Sequence, residues 1–209
     1  MKFVILGGYG GMGRVCALDL FAYDTQAQIV IAGRDLQKAE EFVRTFKSKR
    51  VSAAVVDVTH ISATARLLKG CAVVINCVQY YFNVHVMKAA LRAKCNYVDL
   101  GGLFHYTQKQ MKYDTAFKRI HRVAVLGCGS TPGITNVMIA YGATFFDTLQ
   151  EIHISFADKD YTHYDLPFVT PYSPATLIDE FTLRPAVYRK GRLRFVKPMS
   201  GLTTLAFPE

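Results

Sequence analysis

Gly8-Tyr9-Gly10-Gly11-Met12-Gly13 forms a G-x-G-x-x-G run directly after the apolar stretch Lys2 to Leu6 and directly before a helical period. That spacing suits the pyrophosphate of a dinucleotide. Gly8 permits a tight turn, Gly10 removes a side chain that would block the phosphates, and Gly13 lets the helix close on the strand. The helix then offers its free N-terminal N–H groups and its dipole to the anion. About twenty residues on, where an NAD site would carry an acid, the chain reads Ala32-Gly33-Arg34-Asp35. A small residue followed by a guanidinium makes room for the 2′-phosphate of NADP and pairs with it, so NADP is the expected cofactor, with NAD possible. Asp35 fits a helix N-cap, and Arg14 either joins the phosphate site or is solvated.

Two further segments fall where strands end at the edge a cofactor would use. Asp57-Val58 would flank the adenine, and Asn76-Cys77-Val78 would line the ribose and nicotinamide. The glycines also fit a G-x-x-x-G-x-G pattern from Gly7 through Gly11 to Gly13, the mark of short-chain dehydrogenases. That class needs Tyr-x-x-x-Lys, and none of the 12 tyrosines has a lysine four residues later.

The elements that must position these residues alternate from the start. Lys2 to Leu6, Gln28 to Ala32, Ser52 to Val56, Ala72 to Cys77, Asn96 to Leu100 and Val123 to Leu126 read as buried parallel strands. Met12 to Ala22, Leu36 to Phe46, Ala63 to Leu68, Asn83 to Ala93 and Thr107 to Ile120 read as the helices between them. The expected fold is α/β, a doubly wound Rossmann-type sheet over residues 1–148. A helix from Pro132 towards Phe146 follows, then a strand Glu151 to Ala157. Beyond it the βα rhythm stops. Pro167, Pro171 and Pro174 punctuate a Tyr-rich loop, Ser173-Pro174 opens a short helix to Phe181, and Val187 to Val196 alternates about Lys190-Gly191 as a hairpin. Residues 149–209 thus read as the start of an α+β substrate and dimerisation domain, truncated because a hairpin and one helix cannot bury a core alone.

Composition sets the limits. The chain has 209 residues, 51% hydrophobic and 20% charged, which excludes general disorder. Its apolar runs are too short for a membrane span or a signal peptide, so a cytoplasmic protein is expected. The 5 cysteines contain no C-x-x-C pair and suit neither a disulfide framework nor a zinc site. The net charge of +9 is concentrated at Arg184, Arg189, Lys190, Arg192, Arg194 and Lys197. A solvated strand face accounts for these better than a nucleic-acid surface.

Taken together, Gly8 to Gly13, Ala32 to Asp35, Val73-Val74-Ile75 ending in Asn76-Cys77, Tyr97-Val98-Asp99-Leu100, Gly127-Cys128-Gly129-Ser130-Thr131-Pro132-Gly133-Ile134-Thr135-Asn136 and Tyr172-Ser173-Pro174-Ala175-Thr176 resemble the saccharopine dehydrogenase-like family. The resemblance implies NADP-dependent oxidoreduction at a C–N bond of an amino acid or related amine, in a homodimer. Thr131 departs from it, standing where the family usually has an acid before Pro-Gly. Such chemistry needs a proton-passing group beside the nicotinamide and donors for a carboxylate. Tyr81, Asp99 and Cys128 are the candidates at the right strand ends, with Tyr80, His85, Thr131 and Asn136 nearby. The alternative is a non-catalytic NADP-binding protein that reports redox state through its second domain.

Overall fold

The computed structural model describes residues 1–155, 157, 159–166, 169–170 and 173–207. Residues 1–147 form one compact unit and 148–209 a second. In the first unit, β1 (Lys2–Leu6), β2 (Gln28–Gly33), β3 (Val51–Val55), β4 (Val73–Asn76), β5 (Asn96–Asp99) and β6 (Ala124–Val125) make one sheet in the order β3-β2-β1-β4-β5-β6. Every pairing is parallel. The connecting helices are α1 (Gly11–Tyr23), α2 (Leu36–Thr45), α3 (Ile61–Leu67), α4 (Asn83–Ala93), α5 (Phe104–Met111) and α6 (Asp114–Arg119). The strand order reverses between β1 and β4, which opens the crevice where doubly wound folds bind their ligands.

Period-2 alternation splits the buried side chains between the faces of the sheet. Val4, Leu6, Val30, Ala32 and Val74 pack with Val86, Met87, Ala90, Tyr97 and Phe117, while Ile5, Ile29 and Ile31 pack with Ala17, Ala39, Phe42 and Phe46 on the other side. Runs of Val and Ile buried on both faces are what a central parallel strand requires.

Three boundaries differ from the sequence reading. The helix expected over Thr107 to Ile120 is two helices, α5 and α6, separated where the Tyr113 amide donates to the Gln110 carbonyl in a tighter turn. The helix expected from Pro132 is α7 (Ile134–Ala143), because Gly133 takes φ +139°, outside the helical region. The strand expected over Glu151 to Ala157 is not formed by the described residues there: none of 151–155 or 157 is paired, and an extended segment becomes a strand only when a neighbour takes up its N–H and C=O groups.

The second unit contains α8 (Pro174–Thr182) and an antiparallel hairpin, β7 (Ala186–Arg189) with β8 (Arg192–Phe195). Pro174 occupies the first helical turn, where its missing N–H costs nothing. Lys190 at φ +51° and Gly191 at φ +70° supply the two left-handed residues that a two-residue hairpin turn needs. Pro167, Pro171 and Tyr172 lie outside the described residues. No helix of the described chain is long and apolar enough to cross a membrane.

Candidate dinucleotide site

The glycine turn leaves β1 at the switch point and is fastened to the next strand. Gly7 and Gly8 donate their amides to the Ala32 carbonyl at 2.8 and 3.3 Å, and Gly10 donates to Gly7 at 2.9 Å. The left-handed residue is Gly7, at φ +71°, so the tight turn assigned to Gly8 belongs one position earlier. Gly8 is needed for clearance instead: a Cβ there would sit 2.9 Å from the Ile5 carbonyl oxygen. At Gly13 a Cβ would collide with the Gly7 carbonyl oxygen, so α1 touches the turn backbone to backbone. Gly10 and Gly11 differ from these. A Cβ at Gly10 would meet only Gly7 O, at 3.2 Å, and one at Gly11 would meet nothing. Their outer side is open, and Gly10 brings no side chain to the N-cap of α1. The first-turn amides, including those of Met12 and Gly13, are therefore available to an anion, a cradle that fits a pyrophosphate.

Tyr9 acts as a strut. Its hydroxyl accepts the Asp35 amide at 3.0 Å, and its ring lies so close to Gly33 that a Cβ there would be 2.5 Å away. The turn after β1 and the loop after β2 are thereby one piece. Arg14 donates Nε–H to the Tyr9 carbonyl at 2.8 Å and rests its guanidinium on the Phe42 ring at 4.6 Å. Asp35 is engaged as a cap, accepting the Lys38 amide at 3.1 Å, with Lys38 Nζ 3.7 Å from its other oxygen. Arg34 is exposed at the end of β2 and makes no ion pair among the described residues. An exposed guanidinium beside an Asp35 whose carboxylate is engaged by Lys38 suits a 2′-phosphate. Arg34→Ala is expected to cost NADP binding about 2 kcal/mol, roughly thirtyfold, and NAD binding far less. Calorimetry with both cofactors checks this, and equal losses would show that Arg34 does not read the phosphate.

Asp57, after β3, has its carboxylate occupied by Thr59, at 2.9 Å from the amide and 2.7 Å from the hydroxyl, and these bonds hold its carboxyl below the usual range. Val58 is buried in the core, so at this strand end Asp57 is the more accessible of the pair. Beyond β4, Cys77 and Val78 press on the turn: a Cβ on Gly7 would lie 3.0 Å from the Cys77 carbonyl oxygen and 3.2 Å from Val78 Cγ1.

Asn76 and Asp99 end β4 and β5 and are joined by a buried polar network that sequence reasoning does not find. From Asn76 Nδ2 one arm runs to the Tyr97 hydroxyl at 3.3 Å, which donates to Asp99 Oδ2 at 2.7 Å. The other runs to Asn83 Oδ1 at 2.9 Å, from Asn83 Nδ2 to Gln110 Oε1 at 3.3 Å, and from Gln110 Nε2 to Asp99 Oδ2 at 2.6 Å. Oδ1 of Asp99 accepts the amides of Gly101 and Gly127, each at 2.8 Å. All five side chains are essentially out of water. Burial, with the Asp99 carboxylate second, pushes the Tyr97 hydroxyl well above its ordinary value, so it stays a donor. The carboxylate of Asp99, saturated by four donors, ties the loops after β5 and β6 together. Its geometry suits holding those loops rather than passing a proton.

Those loops form the rest of the edge. Gly101 packs on Pro132, and Gly129 accepts the Ile134 amide at 3.0 Å and donates to Pro132 O at 3.0 Å. Cys128 is exposed on this loop, its amide bonded to Asp99 O at 2.8 Å, and partial desolvation followed by the Asp99 charge pushes its thiol up. Tyr81 is half-buried and stacks with Tyr80 and Tyr106, at ring distances of 4.5 and 5.3 Å. Asn136 caps α7, accepting the Gly133 amide at 2.9 Å. No cluster of metal-ligating side chains exists among the described residues.

A six-stranded parallel sheet with a bare glycine cradle at its switch point, an exposed arginine at the end of β2 and polar strand ends alongside defines a dinucleotide-binding protein of the Rossmann class. The model of the saccharopine dehydrogenase NADP binding domain matches residues 3–125, and the chain belongs to that family. Its cofactor is NADP. The chain is 29% identical to carboxyaminopropylagmatine dehydrogenase of Synechocystis, with 100% of this chain and 54% of that protein covered. It is 25% identical to carboxynorspermidine synthase of Vibrio cholerae, over 97% of this chain and 54% of that one. The chain thus spans about half the length of the curated relatives it matches. Apo saccharopine dehydrogenase (L-Glu forming) from Saccharomyces cerevisiae shares the fold, with a TM-score of 0.59 at 22% identity over 69% of this chain and 31% of that one.

Proposed function

We propose that the chain carries the cofactor half of an NADP-dependent oxidoreductase that acts on a C–N bond of an amino acid or related amine. The observation that carries the reading is the open Gly10–Gly13 cradle with Arg34 at its side, in a chain whose relatives are named for amine-bearing substrates. When bound, the nicotinamide supplies or receives the hydride. The turn and α1 hold the pyrophosphate, Arg34 holds the 2′-phosphate, and Asp57 and the Asn76-Cys77-Val78 segment flank the adenosine and nicotinamide ends. Tyr81 and Cys128 present an O–H and an S–H at the strand ends and are the candidates for proton transfer. Asp99 keeps the Cys128 loop in register with β5. The reading is tested by titrating the protein with NADPH and then following its oxidation with pairs of primary amines and carbonyl acids. NADPH binding without turnover of any pair would favour a redox-sensing role.

The residues 149–209 are proposed as part of a substrate and dimerisation domain. Ile178 and Phe181 on α8 and Tyr188 on β7 are each more than 50% exposed, an unusual apolar surface for an isolated monomer. Light scattering at micromolar concentration is expected to give at least twice the chain mass of 23.4 kDa. A monomer mass would remove the dimer from the proposal.

A further inference from the structure

Two cysteines meet beside the cofactor turn. Cys16 lies on α1, one turn beyond Gly13, and Cys77 directly follows β4; their sulfurs are 3.9 Å apart, with the Cys77 S–H donating to Cys16. Both are partly exposed, whereas Cys71 and Cys95 are buried and Cys128 stands on another loop. We propose that Cys16 and Cys77 are an oxidation site, a dithiol that a small organic disulfide converts to an intramolecular crosslink, and that this crosslink opposes NADPH binding.

The hydrogen bond from Cys77 holds the Cys16 thiol down at about 7, against partial burial and the Asp19 carboxylate, which push it up. Cys16 is therefore the attacking thiolate and Cys77, held protonated by that bond and by burial, the resolving thiol. With glutathione disulfide, the Cys16 sulfur bonds to one glutathione sulfur as the reagent's S–S bond breaks and one glutathione thiolate leaves. Cys77 then gives up its proton, and its sulfur displaces the second glutathione thiolate from Cys16. Two protein thiols are oxidised, one reagent disulfide is reduced, and the two departing thiolates take up the two protons.

The coupling follows from where the sulfurs sit. A disulfide is about 2.05 Å long, so they must approach by nearly 2 Å from their present separation. Gly13 already abuts the Gly7 carbonyl, and the Cys77 carbonyl abuts Gly7 from the other side. Side-chain rotation at Cys16 and Cys77 supplies part of that approach, and with inward sliding of the helix blocked the remainder falls on a tilt of the first turn of α1, whose amides are the proposed pyrophosphate cradle. By linkage, bound NADPH disfavours the crosslink by the same factor.

The test uses the whole chain in a glutathione redox buffer. Reduced protein must first bind NADPH, which tests the cofactor reading separately. After oxidation, peptide mapping without reductant is expected to show Cys16 joined to Cys77. NADPH affinity is expected to fall about fivefold or more and to return with dithiothreitol. Cys77→Ser should trap glutathione on Cys16. Cys16→Ser, modified only at Cys128, should keep its NADPH affinity. Glutathione on Cys128 without any Cys16–Cys77 peptide would overturn the proposal, as would a crosslinked protein that binds NADPH like the reduced form.

Discussion

Gly10→Val is expected to weaken NADPH binding by about 3 kcal/mol or more, at least a hundredfold, while the domain stays folded. The separation of the two effects comes from where the new methyls point. Only the Gly7 carbonyl oxygen lies near a Cβ at position 10, at a distance a shift of a few tenths of an ångström relieves, and the rest of the side chain enters the open space proposed for the pyrophosphate. Gly13→Val is the contrasting case. Its side chain enters the backbone of Gly7 and Gly8 and must part α1 from β1, so it should lose stability before binding is ever assayed. Calorimetric titration with NADPH, with thermal unfolding alongside, checks both. A Gly10→Val protein that bound NADPH like the parent would show that the cofactor does not use this turn.

Asp99→Leu is expected to destabilise the first unit by about 4 kcal/mol, lowering its midpoint by roughly 10 °C. Leucine keeps the branching of the carboxylate, but its methyl groups need roughly 3.5 Å or more where the oxygens sit 2.6 to 2.8 Å from their donors, so lost acceptors and crowding act together. The Tyr97 hydroxyl and the backbone N–H groups of Gly101 and Gly127 would be left buried without an acceptor, and the Gln110 amide with only the Met87 sulfur. Asp99→Asn should cost much less, because the Gln110, Asn83 and Asn76 amides can all turn over, and the Tyr97 hydroxyl can then accept from the new amide while donating to Asn76 Oδ1. Denaturant unfolding of the two variants separates the cases. Equal losses would show that the charge of Asp99, rather than its acceptor capacity, holds the site.

The α/β architecture was legible because β1, β2 and β4 are Val- and Ile-rich runs buried on both faces, and because glycines and Asp35 mark the helix starts. The glycine turn is legible too, since missing side chains at fixed spacing show directly in the sequence. Gly7 enters the sequence reading only as part of the Gly7, Gly11 and Gly13 pattern, because adjacent glycines look alike in sequence and only the backbone shows that Gly7, not Gly8, turns left-handed. The network through Tyr97, Asn83 and Gln110 was hidden for another reason. Its members are polar residues at core positions on four different elements, and their value exists only when all are satisfied together. Asp99 accordingly read as a candidate for proton transfer, although its carboxylate is spent on four donors. The strand expected over Glu151 to Ala157 had strand-like composition, but pairing is a property of two segments and no periodicity reports it.

The Tyr9 strut bears on any attempt to redesign cofactor preference. Exchanging Arg34 for an acid changes the charge at the end of β2 and leaves the glycine turn alone. Substituting Gly33 in the same effort would not, because any side chain there displaces the Tyr9 ring and, with it, the hydroxyl that holds the Asp35 amide. The loop after β2 and the glycine turn are thus one mechanical unit, in which position 34 can be exchanged without moving Tyr9 and position 33 cannot.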